Sequence, residues 1–207
     1  MTVSDNQGGS DNPLVSVIVR TTNRPLLAEA LQSIARQNYR PLEVILVDAT
    51  GKGLEFEGEN ALVNGLPVSV VNLGIPLPRA RAANEGLNAS NGQLLMFLDE
   101  DDWITPEHVS SLVATLQANP AVNAAYSTTR KTDPQGNPLD ERFARDYDPV
   151  LLKRDNYIPI HAMLFASSLV DDGCRFDESL DIYEDWDFWL QLSRKTDFLH
   201  LDREPAL

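Results

Sequence analysis

The stretch Leu94-Leu95-Met96-Phe97-Leu98-Asp99-Glu100-Asp101-Asp102-Trp103 decides how this chain is read. A run of large hydrophobes is what a strand buried on both faces looks like, as in a parallel sheet covered by helices. This one stops on four successive carboxylates, which sets a dense negative charge at one edge of the sheet. Such carboxylates repel one another at neutral pH. A cation relieves the repulsion, and oxygen-only ligands suit Mg²⁺ or Mn²⁺. In open α/β sheets, ligands bind beyond the carboxyl ends of the strands, which is where this cluster falls.

Outward from that strand, similar units recur on both sides. Val15-Ser16-Val17-Ile18-Val19 reads as a first strand ending at the polar run Arg20-Thr21-Thr22-Asn23-Arg24. Pro25 opens a helix, where its missing N–H costs nothing, and Leu27, Ala30, Leu31, Ile34 and Ala35 line one face at helical spacing. After Pro41, Leu42 to Val47 is a second strand that stops at Asp48. Ala49 to Asn64, rich in Gly and Glu, reads as a loop with room for a short helix. Val68 to Asn72 is a third strand, and Gly74, Pro76 and Pro78 turn the chain into a helix over Arg79 to Ala89. Beyond the acidic cluster, Thr105 caps a helix with Pro106 at its first position, running to about Gln117. Asn123 to Thr128 is a fifth strand. This alternation predicts an α/β fold with a mostly parallel central sheet flanked by helices.

The pattern breaks after Thr132. Asp133 to Pro138 is a turn, the polar segment to Arg154 has no clear period, Ile160 to Leu169 is apolar again, and Trp186 to Leu192 looks helical. Residues 1–12 read as a disordered polar leader without the basic and apolar regions of a signal peptide. Residues 13–207 read as one domain, with 13–130 and 131–207 as its two halves and a truncated C-terminus left open.

The composition of the 207 residues, 43% hydrophobic and 23% charged, is that of a globular protein. No apolar stretch approaches the roughly 18 residues needed to span a bilayer. Cys174 is the only cysteine; it excludes an intrachain disulfide and makes a reducing cytoplasm the default, with attachment to the inner face of a membrane left open. The excess of 31 acidic over 17 basic residues, a net charge of -14, is a poor fit to nucleic acid or an anionic membrane. Arg79 and Arg81 are the best candidates for a local basic pocket.

Several segments in order resemble the family 2 glycosyltransferases, a large inverting group with a GT-A fold. Val15 to Pro25 looks like that family's first strand and loop, and Ser33-Ile34-Ala35-Arg36-Gln37-Asn38-Tyr39 like the end of its first helix. Leu42 to Asp48 is similar to its second strand. Asn84-Glu85-Gly86 and Gly92 to Asp102 match its helix and acidic motif. Phe176 to Leu180 and Glu184-Asp185-Trp186-Asp187-Phe188-Trp189 look like its final acidic segment. The resemblance implies a nucleotide-sugar donor, a UDP-sugar first among them, bound by the first half. It implies a hydroxyl acceptor (glycan, lipid-linked or protein) bound by the second. Asp48 would meet the base of the nucleotide, and Thr21, Thr22 and Arg24 would line its pocket. Asp99 and Glu100 would contact the donor, and Asp99 and Asp101, the ends of a DxD motif, would hold Mn²⁺ or Mg²⁺. Asp185 falls on the family's catalytic base. Two positions depart from the pattern: Ala49 follows Asp48 where paired carboxylates are usual, and Ala83 replaces an arginine, so Arg79 or Arg81 would take over its contact.

The residues themselves fit that chemistry. A divalent cation stabilises a leaving diphosphate, and Mg²⁺ usually takes one or two carboxylates plus phosphate oxygens. A base that accepts the incoming hydroxyl's proton is worth typically about 10²–10⁴-fold. An exposed Asp is a weak base, but Glu184, Asp187 and the cover of Trp186 and Trp189 would raise its pKa. The same acids would also suit the positive end of a helix. His161, in an apolar segment, reads as a core residue or a group near diphosphate or acceptor; Trp103 and Trp186 read as core or as sugar platforms. His108 and His200 have no assigned role. Two other classes stay open: a non-catalytic module binding nucleotide sugar or glycan, and a metal-dependent nucleotidyltransferase. The second would be expected to carry a Gly-rich phosphate loop straight after its first strand, where this chain has Arg20-Thr21-Thr22-Asn23-Arg24, without glycine.

Overall fold

A computed structural model describes residues 12–54, 61–63, 65–133 and 135–206. Residues 1–11 of the leader expected at 1–12, part of the loop after the second strand, and one residue of the turn at Asp133 lie outside them. In chain order the elements are β1 (Val15–Thr21), α1 (Leu27–Ala35), β2 (Leu42–Asp48), β3 (Ala61–Val63), β4 (Leu66–Val71), α2 (Arg79–Ala89) and β5 (Leu94–Asp99). There follow α3 (His108–Ala118), β6 (Ala124–Thr132), β7 (Pro138–Phe143), α4 (Pro149–Leu152), a 3-10 turn (Ile160–Ala162), β8 (Met163–Ala166), α5 (Ser168–Asp171), α6 (Glu184–Leu192) and β9 (Phe198–Ala206).

All the described strands join one sheet in the order β3-β4-β2-β1-β5-β8-β6-β7, with β9 on β6. The β4-β2-β1-β5 core is parallel, as expected. The second half is mixed, because β8 runs antiparallel between β5 and β6 and β7 folds back on β6. β1, β2 and β5 alternate between two apolar layers. Ile18, Ile45 and Phe97 meet α2 and α6 on one face. Val17, Leu46 and Met96 meet α1 and α3 on the other. α2 approaches the sheet tightly at Gly86, where a Cβ would stand 2.3 Å from Ile18 Cγ2.

Two helix starts differ from expectation. α1 begins at Leu27 after a turn at Pro25, and α3 begins at His108, where the Gln37 side chain accepts the Val109 N–H at 3.1 Å. Capping therefore comes from across the fold as well as from the local sequence.

Candidate active site

Register brings the site together. Arg20 pairs with Asp99 across β1 and β5, and Thr21 with Asp48 across β1 and β2, so the polar ends of the parallel strands meet at one sheet edge. Beyond that edge lies a cleft of about 640 Å³ lined by Arg20, Thr21, Thr22, Arg79, Asp99 and Asp101, among others.

Arg20, which the sequence reading did not single out, organises its floor. It is 7% exposed, and its guanidinium meets Asp99 through Nε (3.0 Å) and Nη2 (2.8 and 3.0 Å). Its Nη1 reaches Glu184 at 3.2 Å. A buried charge survives only with such partners; burial disfavours the cation, but Asp99 and Glu184 together raise its pKa. Arg79 closes the ring, with Nε 2.8 Å from Glu184 and Nη2 3.3 Å from Asp99. An isolated arginine inside an apolar strand was the available signal.

Glu100 is 2% exposed and takes donors from the β1–α1 loop on both oxygens. They are the hydroxyls of Thr21 (2.5 Å) and Thr22 (2.7 Å), the N–H groups of Thr22 (3.0 Å) and Arg24 (2.9 Å), and Arg24 Nε (2.7 Å). Burial pushes its pKa up, the hydrogen bonds outweigh burial, and the result is about 2. Its carboxylate, expected at the donor, here fastens the loop carrying Thr21, Thr22 and Arg24. Asp48 is fully buried and receives Thr50 N–H (2.8 Å), Thr50 Oγ1 (2.6 Å) and Gly53 N–H (2.8 Å). Burial raises its pKa, but those donors bring it below the ordinary value. It does not line the cleft, so a contact to a base would require the Thr50–Gly53 turn to open. Arg81 faces Glu85 at 4.0 Å and is also absent from the lining, which leaves Arg79 as the α2 cation on the cleft.

Asp101 and Asp102 belong to two clefts at once. The second, about 450 Å³, is lined by these two with Trp103, residues Thr129 to Thr132 and Phe143 of the β6–β7 hairpin, and Asn156, Ile158, Pro159 and His161. Asp101 pairs with Arg24 at 3.1 Å while its side chain stays 44% exposed. Asp102 sits 2.9 Å from His161 Nδ1. His161 is buried, and its Nε2 has no hydrogen-bond partner among the described residues. Trp103 lies under the hairpin turn, 3.7 Å from a Cβ placed on Gly136.

Asp185 opens α6 next to Glu184. Asn156 Nδ2 donates to both of its oxygens at 3.3 Å, and the Trp186 N–H donates to Oδ1 at 2.8 Å. Burial dominates and raises its pKa, with Glu184 adding to the rise while Asn156, Trp186 and Arg20 oppose it. Trp186 donates Nε1–H to Leu152 O at 2.6 Å and lines neither cleft. Tyr183, just before, holds a left-handed φ of 63°. The unassigned histidines are buried or bonded: His108 has a pKa lowered to about 3, mainly by burial, and His200 bridges Asp146 (2.9 Å) and Thr128 (3.0 Å).

Among the described residues no three His, Cys, Asp or Glu side chains form a ready metal cage. The donor set fits a divalent ion that takes most of its ligands from a diphosphate and water. Asp101 is the carboxylate open to it, whereas Asp99 is held by Arg20 and Arg79.

This arrangement, an α/β sheet with two clefts meeting at an acidic strand end, is that of a GT-A fold. Residues 16–173 match the glycosyl transferase family 2 pattern, and the chain belongs to that family. It is 28% identical over 186 residues to the uncharacterized glycosyltransferase YwdF of Bacillus subtilis, covering 87% of this chain and 68% of YwdF. It superposes on S. aureus TarS 1-349 in complex with UDP-GlcNAc with a TM-score of 0.73 at 19% identity, over 93% of this chain and 57% of that one. The mannosyltransferase PcManGT of Pyrobaculum calidifontis, in complex with GDP-Man and Mn²⁺, gives 0.67 at 18% identity, over 93% of this chain and 56% of that one. The chain thus spans little more than half of these solved relatives.

Proposed function

We propose that this chain is the donor-binding and catalytic region of an inverting glycosyltransferase. It would move a sugar from a nucleoside-diphosphate sugar to a hydroxyl acceptor. The observation that carries this reading is the seam between the clefts. Asp101 and Asp102 line both, and Asp185, which lines neither, is bonded to Asn156 of the 450 Å³ cleft and adjoins Glu184, the partner of Arg20 and Arg79 of the other. Donor and acceptor then meet beside a carboxylate able to accept a proton.

In this reading the 640 Å³ cleft takes the nucleoside diphosphate. Arg79, 64% exposed, contacts the diphosphate, and the loop fastened by Glu100 forms its wall. Mn²⁺ or Mg²⁺ held by Asp101 would supply charge neutralisation of the leaving diphosphate. The 450 Å³ cleft takes the acceptor, with Trp103 offering an apolar ring and His161 a second polar group. Asp185 receives the proton of the attacking hydroxyl. Its raised pKa makes it a better base than an exposed aspartate. Attack from the side opposite the diphosphate inverts the anomeric carbon, since no covalent intermediate is involved. The family pattern ends before α6, so the role of Asp185 rests on its geometry and on the acidic segment read from sequence. UDP as the nucleotide draws support from the TarS complex, and Mn²⁺ from the PcManGT complex. No described helix is long and apolar enough to cross a membrane.

The test is a thermal-shift screen of UDP-GlcNAc, UDP-glucose and GDP-mannose with Mn²⁺ or with chelator. A ligand at 100 times its Kd adds about 2.7 kcal/mol, which raises Tm by roughly 5–10 °C in a chain of this size. Stabilisation by one nucleotide sugar, reduced by chelator and by Asp101→Asn, is expected. Stabilisation by none of the three, or stabilisation indifferent to both chelator and Asp101→Asn, contradicts the donor assignment.

A further inference from the structure

We propose that Asn156 is the positioning residue for the base: its amide nitrogen straddles the Asp185 carboxylate and sets which lone pairs face the acceptor. The inference rests on Asp185 being the base.

Three observations carry it. Asn156 Nδ2 lies 3.3 Å from each Asp185 oxygen and, together with the Trp186 N–H 2.8 Å from Oδ1, holds the orientation of the carboxylate. An ionised carboxylate accepts and never donates, so the amide nitrogen must face it and the carbonyl oxygen must turn away. That Oδ1 is buried with no partner among the described residues, and the only hydrogen bonds of the Asn156 side chain there go to Asp185. An asparagine kept for the fold alone would ordinarily bond on both ends, because an unsatisfied buried acceptor costs about 1–3 kcal/mol. Asn156 also lines the 450 Å³ cleft, on the same short segment as Ile158, Pro159 and His161.

The choice of a neutral amide makes chemical sense. The adjacent Glu184 is neutralised by two arginines, Arg20 from β1 and Arg79 from α2. An arginine placed on Asp185 instead would favour the ionised carboxylate and weaken it as a base. An amide orients the group at a smaller cost in basicity. The charged groups around Asp185 are Glu184 on its own helix and Arg20 from β1, and neither is bonded to its carboxylate. Asp187, one turn into α6, is bonded to Gln191 at 2.7 Å.

The experiment reads Asp185 directly. Carboxylates of the full chain labelled with ¹³C at Asp Cγ are titrated by NMR, with Asp185→Asn identifying the resonance. Asn156→Ala removes a donor that favours the ionised form, so the Asp185 pKa should rise by at least half a unit. Asn156→Asp keeps the side chain's size but adds a second carboxylate, so the rise should be larger. In parallel, UDP release is measured from UDP-GlcNAc and GDP release from GDP-mannose, with Mn²⁺ and an array of p-nitrophenyl glycosides. Asn156→Ala should lower kcat about 10- to 100-fold, move its acid limb to higher pH and leave donor KM within twofold. An unmoved Asp185 resonance in both variants, or a uniform loss with a fixed acid limb, overturns the inference while leaving Asp185 as base if Asp185→Asn still abolishes transfer. Transfer surviving in Asp185→Asn within threefold overturns the base and the inference together.

Discussion

Arg20 is a full positive charge set into an apolar strand, and it is tolerated because Asp99 and Glu184 reach it from β5 and α6. Removing it leaves a Glu184 side chain that is 3% exposed with only Arg79 beside it. Breaking a buried pair this way typically costs about 3–5 kcal/mol. Arg20→Met should therefore lower Tm by roughly 10 °C, and adding Glu184→Gln should recover part of the loss; denaturant melts of the two variants check this. Glu100 makes a second case. Its pKa is lowered from 4.5 to about 2, so its contribution is present above pH 4.5 and is lost as pH falls toward 2. The shift corresponds to about 3 kcal/mol. Glu100→Gln should cost about that much at pH 7 and remove the part of acid destabilisation that falls between those pH values. A variant whose melting loss is the same at pH 7 and pH 2 would contradict the assignment.

At the level of elements, the apolar strands and the helices between them could be read in advance because each buries a periodic face. β1, β2, β5 and α2 lie within a few residues of where hydrophobic runs and prolines put them. β7 could not be, since every residue but Phe143 is exposed and an edge strand on β6 needs no apolar face. β9 pairs with β6 from some seventy residues away, a tertiary contact with no local sign. The site divides in the same manner. The four acids announced themselves, whereas Asn156 sits just past the polar segment without period and meets Asp185 only through folding. Helix packing adds a test: at Gly86 of α2 an added methyl would collide with Ile18 Cγ2 at 2.3 Å. Gly86→Ala should cost about 1–3 kcal/mol by overpacking, and Ile18→Ala in the same chain should relieve the strain. Additive losses in urea melts would show that α2 does not rest on β1 there.

Taken as a whole, the molecule sets a parallel half beside a mixed half, and the acidic end of β5 stands between them. The ion pairs of Arg20 and Arg79 run from β5 to α6 and join the two halves through charge as well as through the shared sheet. Single-turnover transfer by Asp185→Asn, with donor affinity measured on the same protein, separates binding from chemistry. Because the side chain lies on α6, outside the lining of the 640 Å³ cleft, donor Kd should stay within about threefold while the transfer rate falls by about 10²–10⁴. A variant that transfers sugar at nearly the wild-type rate, or that loses donor binding and transfer together, would contradict Asp185 as the base.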